Sequence, residues 1–148
     1  MQLETPEQKT DVIIKGMMSS GVAGAIIPLP LGIPFMGVVA AGVVGIGVCY
    51  GVELSKDEAW KLIKEFFRAA GLTFMAINVG GLFISAILNF SGAGYPVAVA
   101  LDAAQATAIA YAVGTCAKVY FSGEHSRKEL GAVMRNAFKE AQQFKTAA

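Results

Sequence analysis

The residues able to do chemistry are few and far apart. One histidine, His125, stands beside the start of the last helix and reads as a solvated side chain rather than a base. The two cysteines, Cys49 and Cys116, lie in separate apolar segments and read as free buried thiols. One histidine and two separated cysteines cannot complete a four-ligand zinc site within one chain. The run "GMMSSG", Gly16 to Gly21, has phosphate-loop glycine spacing, but Val22 stands where lysine is required. The run "GVVGIG", Gly42 to Gly47, orders its glycines differently from the dinucleotide fingerprint, and no strand precedes it. Asp102 is the one acid set inside apolar sequence. An ionisable group at membrane depth is costly and usually functional. Two turns after Pro96, however, the helix N-terminus also favours an acid for structural reasons. Asp102 is therefore a possible polar site with a structural reading beside an ion, proton or polar-contact reading. No catalytic residue, metal ligand or cofactor is expected, and the chain reads as a non-enzyme.

The elements that hold these residues are unusually apolar. Of 148 residues, 55% are hydrophobic and only 16% charged, and the mean hydropathy is +0.55. A small domain buries only about two-thirds of its chain surface, so the excess calls for lipid or for further copies of the protein. The net charge of +1 gives no electrostatic case for nucleic acid. The opening "MQLETPEQKTD" is polar where a secretory signal would be basic and then apolar. The expectation is a protein that starts in the cytoplasm and reaches any membrane from that side.

Charges fall in three zones, Glu4 to Lys15, Glu53 to Arg68 and Lys118 to Lys145. Between Lys15 and Glu53 there is none, and between Arg68 and Lys118 only Asp102. Each uncharged stretch is broken near its middle, the first at Pro28, Pro30, Gly32 and Pro34, the second at Gly92, Gly94 and Pro96. Proline removes a backbone donor and glycine frees the dihedrals, so these positions predict hairpin turns. The expected architecture is all-α, one helical domain over residues 1–148. It comprises a first apolar hairpin at 12–51, an amphipathic helix at 55–70, a second apolar hairpin at 71–121 and a C-terminal amphipathic helix at 124–146. All charged zones then share one side, and the basic C-terminal zone matches the positive-inside tendency. A spanning helix needs about 20 apolar residues. Leu72 to Phe90 and Pro96 to Ala117 reach that length, whereas Met17 to Ile27 and Phe35 to Tyr50 fall short.

Thr5 with Gln8, Ser55 with Glu58, and Ser126 with Glu129 are capping boxes that predict helix starts. On Lys56 to Arg68 the residues Ala59, Leu62, Ile63, Phe66 and Phe67 form an apolar face, which suits either a headgroup layer beside Trp60 or the protein's own core. Leu130, Met134, Ala137, Ala141 and Phe144 form a narrow stripe on the last helix, fit to pack within the domain or on a neighbouring subunit. Small residues recur at four-residue spacing: Gly47 and Gly51 as a GxxxG, then Ala100, Ala104, Ala108 and Ala112, with Ala106, Ala110 and Gly114 beside them. Such residues let helix backbones approach closely, within a hairpin or between subunits.

The stretch "AIIPLPLGIPFMGVVAAGVVGIGVCYGVELSKDEAWKLIKEFF", with its "IPLP" and "YGVELS", and the later "ALDAAQATAIAYAVGTCAKVYF" resemble a hydrophobic domain of unknown function. That domain often follows Era-like small GTPase domains in bacteria and occurs in inner-membrane proteins of the YcjF type. Here it stands without the GTPase. The resemblance covers about Val12 to Phe121. It implies a helical, membrane-associated module that works beside a GTPase, with no catalytic residues to carry over.

The expected function is a non-enzymatic homo-oligomeric scaffold embedded in or bound to a bacterial inner membrane, its charged segments facing the cytoplasm and a separate GTPase as possible partner. The alternatives are a soluble cytoplasmic ring, cage or tube whose hairpins bury each other, and an oligomeric pore lined by Asp102, Gln105 and Thr107.

Overall fold

The computed structural model describes residues 5–26, 32–80, 103–123 and 125–144. Among them the chain is all-helical, without strands. The helices are α1 (Pro6–Ile26), α2 (Gly32–Cys49), α3 (Lys56–Ala70), α4 (Leu72–Val79), α5 (Ala103–Ser122) and α6 (Arg127–Phe144).

Local chemistry sets the helix starts. At α1 the Gln8 N–H donates to Thr5 Oγ1 at 3.1 Å, and the Thr5 N–H to Gln8 Oε1 at 3.4 Å. At α3 Ser55 and Glu58 exchange the same two bonds, both at 3.1 Å. At α6 the Glu129 N–H donates to Ser126 Oγ at 3.1 Å, while the Glu129 carboxylate lies 3.3 Å from His125 Nδ1.

Cross-helix contacts set the directions. Asp11 Oδ1 accepts from Lys118 Nζ at 3.1 Å, and one turn on Ile14 lies over Gly114, so α1 and α5 run antiparallel. Ile13 lies against Gly45 and Met17 against Gly42, so α1 and α2 also run antiparallel. Tyr111 donates to Glu140 at 2.6 Å and the Cys116 thiol to the Leu130 carbonyl at 3.6 Å, which sets α5 antiparallel to α6. Phe74 meets Phe138 edge to face at 5.9 Å, and Gln142 Nε2 donates to Asn78 Oδ1 at 2.8 Å, so the short α4 runs beside α6 in the same direction.

The helix α3 runs from the end of α2 to the first turns of α6. Leu54, just before it, reaches Gly47 near the end of α2. Phe66 meets Tyr120 at 6.1 Å, and Ala69 presses its carbonyl on Gly131 at the start of α6. Arg135 closes the C-terminus of α3, donating to the Ala70 carbonyl at 3.2 Å and the Ala69 carbonyl at 3.5 Å. Such a cation satisfies carbonyls that the helix cannot.

The core is one cluster that joins every helix. Val39 and Ile46 of α2, Ile63, Phe66 and Phe67 of α3, Met75 of α4, Ile109 of α5, and Met134 and Phe138 of α6 are fully buried. Burying each such side chain stabilises by about 1.5–3 kcal/mol. Much of the apolar sequence therefore fills the body's own interior.

Several sequence expectations are corrected. The apolar helix expected over Leu72 to Phe90 ends at Val79, because Gly80 at φ +94° closes α4 with its N–H on the Ala76 carbonyl. Gly32 and Pro34 are not turn residues. They lie in the first turn of α2, where proline costs little because those N–H groups lack intrahelical partners. Gly51 does not continue a GxxxG helix face. It sits past the end of α2 at φ +78°. Trp60, placed at a headgroup layer as one alternative, is only 8% exposed, and the apolar face of α3 closes the core. Pro28, Pro30, Gly92, Gly94, Pro96, Ala100 and Asp102 lie outside the described residues.

Candidate interaction site

The α2–α3 connection is built residue by residue. The Val52 N–H donates to the Gly47 carbonyl at 2.8 Å and the Gly51 N–H to the Val48 carbonyl at 3.0 Å. This is a Schellman closure, and it needs the left-handed φ that glycine adopts freely. Gly47 faces the same turn. A Cβ built there lies 3.0 Å from the Val52 carbonyl oxygen and 3.4 Å from Leu54 Cδ1 and Phe121 Cζ. The bare glycine lets the returning chain and the end of α5 both close on α2, so Gly47 and Gly51 serve one turn within one chain. Ser55 then starts α3.

The result is a surface at the α3 end of the bundle. An open cavity of about 620 Å³ is lined by Val52, Leu54, Tyr120, Phe121, Gly123 and His125. A second, of about 280 Å³, is lined by Leu54, Glu58, Lys61, Leu62, Glu65 and Tyr120. They share Leu54 and Tyr120. Tyr120 is 42% exposed and stacks edge to face on Phe121 at 5.2 Å. Two stretches singled out in the sequence thus meet here, "YGVELS" at Tyr50–Ser55 and the aromatic end of α5.

The charges of this surface are on α3. Glu58, Lys61, Glu65 and Arg68 are exposed and Leu62 is half-buried among them. Arg68 Nη1 lies 3.0 Å from Glu65 Oε1. The Ser55 N–H, then the Ser55 hydroxyl, hold the Glu58 carboxyl below its ordinary range, with Lys61 adding to the effect.

The other sequence-selected residues lie elsewhere. Ala108 and Ala112 are buried on α5, and Ala104 is exposed. Ala106, Ala110 and Gly114 form a second buried row, in which Gly114 meets Ile14 of α1. Leu130, Met134 and Ala141 are buried on α6 with Phe138, and Phe144 is its last residue. Phe138 was missed, although its place four residues after Met134 marks it as core. Burial pushes the Cys116 thiol up to about 12. The bond to Glu140, ahead of burial, raises Tyr111. Asn78 gathers α4, α5 and α6, accepting from Gln142 on its side chain and from Gln105 Nε2 on its carbonyl at 3.5 Å. Among the described residues no three His, Cys, Asp or Glu side chains converge on a metal-sized site, and no helix is long and apolar enough to cross a membrane.

Taken together, the described residues form an all-α bundle with the amphipathic α3 at one end and a glycine-built turn beside it. The chain belongs to the family described as domain of unknown function (DUF697), whose model matches residues 3–143. No curated protein and no solved structure matches it.

Proposed function

We propose that this domain is a non-enzymatic, self-associating scaffold that binds a membrane through the end of the bundle opposite α3. The observation that carries this reading is where the long uncharged sequences join the fold. The α3 end holds Glu53, the charges of α3, Lys118, Arg127 and Lys128. At the opposite end the chain leaves α1 and α4 and re-enters at α2 and α5, with the Gln105–Asn78 bond joining the last of these points. The connecting sequences, residues 27–31 and 81–102, carry no charge except Asp102. Long uncharged sequence joined to one end of a body suits a lipid boundary, and the exposed Lys139 and Glu140 near the C-terminus of α6 lie toward that same end. Apolar side chains are also exposed along α2, Val38 at 38% and, at the α3 end, Val48 at 61%.

The test is fractionation of cells expressing the full chain without detergent. The expected result is a membrane pellet that retains the protein through carbonate and high-salt washes. Release by either wash overturns insertion. Recovery as large, uniform, detergent-free particles would replace it with the self-assembled shell.

A further inference from the structure

The exposed face of α3 carries a charge order that fits its own reverse. Glu58, Lys61, Leu62, Glu65 and Arg68 share one helix face, opposite the buried face of Ile63 and Phe67. We propose that two copies of this chain pair through α3, antiparallel about a two-fold axis beside position 63. In that register Glu58 faces Arg68 of the second copy and Lys61 faces Glu65 of the second copy, and the symmetry makes each contact twice. Leu62 lies beside the axis, and Leu54 and Tyr120 extend the apolar ground along the groove. A parallel pair in register would set every one of these charges against its own copy, so the charge order selects the antiparallel arrangement.

The groups offered are free to take part. Arg68 and Glu65 bridge within the helix, yet their side chains remain 41% and 52% exposed. Glu58 is committed to Ser55 through Oε1, and a carboxylate has further acceptor sites. One helix per copy is a small interface, at the weak end of specific association. Opposite charges there set register and partner more than strength. The pairing rests on the self-association in the proposed function and not on its membrane contact.

The experiment is sedimentation velocity of the full chain over a concentration series, in mild detergent where extraction requires it. Lys61→Glu and Glu65→Lys are compared with wild type and with the double variant. The sites are exposed, and circular dichroism verifies the fold. Each single change sets like charges together twice and is expected to weaken association by at least roughly tenfold. The double exchange restores the pairing and is expected to recover it. Wild type that associates while both single variants match it overturns the α3 pairing and leaves self-association standing. Wild type that stays monomeric removes both. A double variant no better than the singles also overturns the pairing. Orientation is read separately by oxidising mixed, differently tagged Lys61→Cys and Glu65→Cys copies. Tag-mixed disulfides in preference to same-tag ones are expected, and the reverse preference overturns the antiparallel register.

Discussion

At the residue scale, Gly16 and Gly114 make a matched pair with opposite consequences. Both interrupt apolar helices. A Cβ at Gly16 meets nothing within 4 Å, whereas one at Gly114 lies 2.6 Å from Ile14 Cγ1. Cγ1 is bonded to the branch point at Cβ, which is itself 3.4 Å away, so Ile14 must leave its rotamer or α1 and α5 must separate. Gly16→Ala is expected to stabilise by about 0.5–1 kcal/mol, because alanine spares backbone entropy in a helix. Gly114→Ala is expected to destabilise by about 1–3 kcal/mol through overpacking. Urea titration reads both, and equal shifts would refute the close α1–α5 contact. The four-residue spacing in the sequence marked such positions as sites of close approach without saying to what. The partner of Gly114 is a helix nearly a hundred residues upstream, and only the folded chain reveals it.

At the element scale, α3 joins a legible start to an illegible placement. Its N-terminal box could be read from Ser55 and Glu58 alone, since capping depends on neighbours three residues apart. Its apolar face could be read too. That the face closes the end of a bundle could not, because the same pattern serves lipid or core equally. The longer apolar segment misled for a related reason. Hydropathy persists through Gly80, while the backbone turns there at φ +94°. The cap makes a definite prediction. Glu58 is held below its ordinary carboxylate value in the fold. Its contribution is therefore complete above the unfolded value and is lost as pH falls through the folded one. Glu58→Gln keeps a reciprocal cap without the titration. Wild type should lose more stability than Glu58→Gln between neutral and acid pH, and parallel curves would refute the charged cap. Ser55→Ala should cost about 1 kcal/mol at neutral pH.

At the scale of the whole molecule, the two proposals constrain each other. The proposed lipid contact and α3 lie at opposite ends of the bundle. Pairing through α3 therefore leaves the proposed lipid contact of each copy free. Such a scaffold is bivalent, and one dimer can hold two bilayer patches. Binding at both contacts also gains from effective concentration, since the second contact becomes intramolecular once the first is made. The full chain added to vesicles should then cluster them, seen as a rise in light scattering. Lys61→Glu should still bind vesicles in flotation yet fail to cluster them, and Lys61→Glu with Glu65→Lys should cluster them again. Clustering by the single variant at the wild-type level would place the bridging contact elsewhere on the molecule. Vesicle binding without clustering by wild type would mean that the copies do not pair face to face through α3.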